Sequence, residues 1–144
     1  MKYLIFAAAL FVTACTTRGG VRLGELDIPI VELQRAVESS LPLGKRKQSQ
    51  NSREFFSEYF VMKRGEYEEG GHASVRYFAH ILILGDRKPY NVDVVVEVEQ
   101  RRDDGSYTRT DYDEGLARMI SRRIQSSLHK RRDHLNIIDD FRVF

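Results

Sequence analysis

Tryptophan is absent from this chain of 144 residues, proline occurs three times, and cysteine occurs once, at position 15. A single cysteine excludes an intramolecular disulfide and a thiolate metal cluster. The scarcity of proline, with only ten glycines and an ordinary 10% of aromatic residues, argues against disorder over most of the length. An excess of one charge is also missing. Charged residues make up 31% of the chain, yet the formal net charge is only +2, far from the basic excess of a dedicated nucleic-acid binder. The apolar run Leu4 to Val12 holds nine residues, against the roughly 20 that a membrane-spanning helix needs. The length suits one domain with a modest core.

Chemistry-bearing motifs are equally sparse. No glycine fingerprint marks a phosphate loop and no G-x-S-x-G elbow is present. The histidines are His72, His80, His129 and His134, and no two stand at the i, i+4 spacing that sets two imidazoles on one helical face for a metal. Acidic residues gather at Glu66, Glu68 and Glu69 in a turn and at Asp139-Asp140. Their spacing does not distinguish an acid/base pair from a solvated surface. His80 reads as a polar side chain on the surface or as a satisfied, partly buried imidazole. The expectation is no catalytic residue, no metal and no dissociable cofactor.

What is present begins at the N-terminus. Lys2 precedes the apolar run, and small residues follow it, the three-part build of a secretory signal. Val12-Thr13-Ala14-Cys15 comes next: an aliphatic residue, a small one, alanine, then the only cysteine. This resembles the lipobox of bacterial lipoproteins, with valine where leucine is commoner. The resemblance covers about fifteen residues and implies cleavage between Ala14 and Cys15, diacylglycerol on the Cys15 thiol and an acyl chain on the new amine. Thr16, where inner-membrane retention typically has aspartate, implies the outer membrane, periplasmic face. Residues 1–14 are then a removed signal peptide, 15–26 a lipidated N-terminus and tether, and 27–144 one domain. Removal takes only Lys2 among charged side chains, so the basic and acidic counts then differ by one.

Within the domain, Asp27 and Pro29 read as a helix start. Ile30, Leu33, Val37 and Leu41 lie on one helical face, which Pro42 and Gly44 end. Residues 44–52 read as a basic loop. Arg53 to Lys63 reads as a strand with apolar residues at both parities. Ala73 to Leu84 alternates more clearly, with Ala73, Val75, Tyr77, Ala79, Ile81 and Ile83 on one face and Ser74, Arg76 and His80 opposite. Asn91 to Gln100 carries Val92, Val94, Val96 and Val98 inward and Asp93, Glu97 and Glu99 outward, with Val95 out of pattern. Such alternation belongs to an antiparallel sheet covered on one side. Asp111 and Glu114 have capping-box spacing before a helix whose stripe is Leu116, Ile120, Ile124 and Leu128. Residues 135–144 read as a final strand. The expected fold is α+β: an antiparallel sheet of three to four strands with two helices on one face, in the order helix, three strands, helix, strand.

Arg118, Arg122, Gln125, His129 and Arg132 share the face opposite that stripe. They read either as the solvated face of an amphipathic helix or as a docking face for an anionic lipid, lipopolysaccharide or an acidic protein. In element order the mature chain is similar to the lipopolysaccharide-assembly lipoproteins that plug the outer-membrane translocon, without a diagnostic motif. The functional expectation is a lipid-anchored, non-catalytic interaction or assembly accessory with an envelope protein partner and no nucleic acid. A transporter-associated lipoprotein and an envelope hydrolase are the alternatives.

Overall fold

A computed structural model describes residues 19–140, with side chains through Arg132. Two strands, β6 (Val75–Leu84) and β7 (Tyr90–Arg101), form the central antiparallel hairpin, in register from Val75↔Gln100 to Leu84↔Asn91. Each is long because its alternate residues are aliphatic, and Ala79, Ile81, Ile83, Val92, Val94 and Val96 are all buried on one face. Val75, at the strand's end, is exposed.

Short strands complete the sheet in collinear pairs. β1 (Gly20–Leu26) pairs with residues 90–95 of β7, and β8 (Tyr107–Tyr112) with residues 97–101 of the same edge. On the other side β3 (Glu54–Ser57) and β4 (Phe60–Lys63) share the free edge of β6. β2 (Lys45–Gln48) lies beyond β3, and β5 (Glu66–Glu69) beyond β4. The result is an open sheet of 8 strands, antiparallel throughout, with two helices on one face. The class is α+β as expected, but the sheet is larger than three to four strands.

The differences have local causes. Part of the expected tether, residues 20–26, is β1, whose Leu23 enters the core. The run 53–63 is not one strand. It breaks at Glu58-Tyr59, which shifts the inward parity from Phe55 and Ser57 to Phe60, and so accounts for apolar residues at both parities. At the break the Ala79 N–H donates to Ser57 Oγ at 2.8 Å, a side chain standing in for a missing ladder partner. The basic loop contains β2, and the acidic turn contains β5.

Helix α1 (Ile30–Ser40) buries Leu33, Ala36 and Val37. Asp27 does not cap it. Pro29 occupies the cap position without a side-chain bond, while Asp27 Oδ1 lies 3.4 Å from Lys88 Nζ. Helix α2 (Glu114–Asp140) starts two residues later than expected in the cap, because Asp111 belongs to β8. Asp113 is the cap, accepting from the Leu116 N–H at 2.9 Å. Residues 135–140, expected as strand, continue this helix, and 141–144 lie outside the described residues. The element order β1, α1, seven strands, α2 departs from the helix, three strands, helix order on which the similarity to lipopolysaccharide-assembly lipoproteins rested.

Gly19 joins β1 to what precedes it. Its φ is +70°, and a Cβ there would collide with Tyr112 Cβ. Glycine is required because the chain meets β7 in the gap between the end of β8 and the start of β1.

Candidate functional site

The packing of α2 determines what it presents outward. Leu116, Ala117, Ile120, Ile124 and Leu128 are buried against the sheet and α1. Arg118, Arg122, Gln125, His129 and Arg132 are all exposed, so the structure places the five on one solvent-facing side but not in one site. Gln125, His129 and Arg132 border a groove of about 210 Å³ between α2 and the β1–α1 connection, opposite Glu25, Leu26 and Asp27. Nearby, Arg131 Nη1 lies 3.4 Å from Glu32 Oε2. This half is mixed in charge and does not concentrate positive potential.

The first turns of α2 differ. Arg118 and Arg122 border a shallow cup with Met119, Arg123 and Ser126. Arg118 Nη2 bonds Glu114 Oε1 at 2.7 Å, one turn back. Arg123 lies 4.7 Å over the Tyr67 ring of β5, a cation–π contact that the sequence spacing did not reveal. Burial pushes the Tyr67 hydroxyl above its ordinary pKa, with Arg123 opposing. Met119 stands among these arginines 42% exposed.

A second polar assembly lies on the sheet face opposite the helices. The Arg76 guanidinium is held between the rings of Tyr59 and Tyr107, 3.5 and 3.4 Å from their centroids. Its Nε donates to Glu99 Oε2 at 2.8 Å, and Nη2 lies 2.7 Å from the same oxygen as an ion pair. Beside it His80 stacks on Phe56, centroids 4.4 Å apart and planes 13° from parallel. His80 Nε2 lies 2.7 Å from Glu54 Oε1, and Nδ1 lies 3.7 Å from Glu97 Oε1. Glu97 is only 3% exposed. Arg109 closes on its Oε2 as an ion pair, although that oxygen accepts no aligned hydrogen bond.

His80 is thus the satisfied, partly buried imidazole of the sequence reading, and Glu97 departs from its expected wet position. The sequence signal for this layer was Phe78, Leu82 and Val95, apolar residues at the outward parity of β6 and β7. The layer gives this face a thin cover of its own, with the guanidinium groups of Arg46 and Arg76 laid over aromatic rings. Among the described residues no three His, Asp or Glu side chains converge as a metal would need.

Glu97 yields a test. Burial, the largest influence, raises its carboxyl above the ordinary value, and Glu99 adds to this against Arg109 and His80. A carboxyl raised in the folded state contributes stability fully below its unfolded pKa and loses that contribution as pH rises through the folded value. Wild-type stability relative to Glu97→Gln is therefore expected to fall as pH rises across the acidic range. Urea midpoints of the two proteins measured over that range check this, and a pH-independent difference would refute it.

No protein-family model, curated protein or solved structure matches this chain.

Proposed function

We propose that this protein is a lipid-anchored bacterial envelope protein, a non-catalytic interaction or assembly accessory at the periplasmic face of the outer membrane. The observation that carries the reading is Val12-Thr13-Ala14-Cys15, with the chain's only cysteine at the position that lipidation requires. In this reading the working N-terminus is Cys15, bearing diacylglycerol and an N-acyl chain, and residues 1–14 are removed. The domain supplies surfaces rather than a reaction centre: the basic cup at the start of α2 and the mixed-charge groove at Gln125, His129 and Arg132. An envelope protein partner suits the groove, whose rim offers both signs of charge over Leu26 and Leu128.

Crosslinking and pull-down from native membranes test the role. Recovery of an outer-membrane barrel supports assembly work at that membrane. Recovery of an inner-membrane transport complex would assign the protein to transporter association instead.

The second reading is an envelope hydrolase, and the observation favouring it is His80 between Glu54 and Glu97. Against it stands the engagement of Nε2 by Glu54 and of the ring face by Phe56, which ties the imidazole to β3. A hydrolytic activity lost in His80→Asn but kept in Glu97→Gln would carry this reading.

A further inference from the structure

We infer that the outward face of the first turns of α2, Arg118, Met119, Arg122 and Arg123, rests in the headgroup layer of the anionic phospholipid membrane that holds Cys15. The inference deepens the lipid-anchor reading and rests on it. Its first support is chain length. Cys15 stands four residues before Gly19, and four residues reach at most about 14 Å when fully extended. Gly19 in turn sits against Tyr112, immediately before the cap of α2. The anchor therefore tethers the β1/β8 edge, where α2 begins, close to the lipid. From Asp113 to Arg123 the helix advances only about 15 Å, so the cup belongs to the tethered end of α2, with Arg118 nearest the anchor and Arg123 leaning toward Tyr67 of β5 at the far edge of the sheet.

The second support is the chemistry of that face. Of the carboxylates at this end, Asp113 caps the helix and Glu114 pairs with Arg118, whereas Asp111, beside Gly19, accepts only from the backbone Tyr112 N–H. Among the described residues Arg122 and Arg123 have no carboxylate partner, and Arg123 is oriented by the Tyr67 ring. An exposed methionine ringed by arginines fits the boundary between phosphate and acyl chain, where long basic side chains keep their heads in the polar layer. The groove near Arg132 lacks this character because Glu25 and Asp27 line it.

The test uses the lipidated protein purified from membranes and reconstituted in vesicles of phosphatidylcholine, with or without phosphatidylglycerol. An environment-sensitive dye on Ser126→Cys reports contact with a headgroup quencher, and a second dye on Lys47→Cys, across the sheet, serves as reference. Quenching at position 126 is expected to be severalfold stronger on the anionic vesicles, because each arginine near an anionic surface is attracted to it by about 1 kcal/mol. High salt should abolish it, as should the combined Arg118→Gln, Arg122→Gln and Arg123→Gln substitutions, with position 47 unchanged throughout. Intact mass separates the two readings. If Cys15 carries no acyl mass, the anchor reading falls and this orientation with it. Acyl mass with equal quenching on both vesicle types overturns the orientation alone. Binding of an acidic protein that the triple variant loses, without dependence on vesicle charge, gives the face to a protein and also overturns it.

Discussion

A Cys15→Ala variant is expected to lose the acyl mass and to move almost wholly from the membrane to the soluble fraction. The size of the effect follows from the anchor chemistry. Each buried methylene contributes about 0.8 kcal/mol, and a single acyl chain alone holds a protein only marginally, whereas several together hold it stably. No helix among the described residues is long and apolar enough to cross a membrane, and the membrane contact proposed for the arginines of α2 would add only a salt-sensitive attraction. On the proposed lipid-anchor reading, removing the thiol therefore removes the dominant attachment. Intact mass and fractionation of wild type and variant measure it, and identical behaviour of the two would refute the lipid anchor.

The second large effect is on stability. Phe60→Ala is expected to cost about 3–5 kcal/mol, a large share of the roughly 5–15 kcal/mol by which native proteins exceed their unfolded states. Phe60 is completely buried. Its ring meets Tyr67 edge-on at 5.0 Å and stacks with Tyr77 at 5.8 Å. Phe60↔Tyr77 is also the register pair through which β4 joins β6, so little nearby can collapse into the space. The same contact holds Tyr67 beneath Arg123, so loss of the ring also loosens one wall of the basic cup. Urea unfolding of both proteins gives the difference. Val61→Ala, at a partly exposed position of the same strand, should shift the midpoint far less.

What could be read in advance follows the amount of apolar patterning in each segment. Ile30, Leu33, Val37 and Leu41 announced α1, and Leu116, Ile120, Ile124 and Leu128 announced the packed part of α2. The valines of β7 announced its inward face. The strands KRKQ, EYEE and YTRTDY could not be read this way. Their side chains are polar, and they are extended because a neighbouring strand offers hydrogen bonds rather than because an apolar face needs burial. The cap of α2 moved from Asp111 to Asp113 for a related reason: β8 holds Asp111 in register with Val98. Residues 135–140 resembled a strand in composition, yet the helix before them propagates through, since extending a helix costs far less than nucleating a new element.

The candidate face shows the same division. Its five residues were legible as one side of a helix, because 3.6-residue periodicity is local. Their separation into a basic cup and a mixed-charge groove was not, since Glu25, Asp27 and Tyr67 reach α2 only through the fold. The sequence by itself determined the two apolar helical stripes, the alternating core of the central hairpin and the lipobox pattern around Cys15, all set by spacing along the chain. Tertiary structure alone decided the eight-stranded width of the sheet, the burial of Glu97 beside His80 and Arg109, and the placing of Gly19 against the start of α2. Each of these depends on contacts between residues distant in sequence, for which no local period leaves a trace.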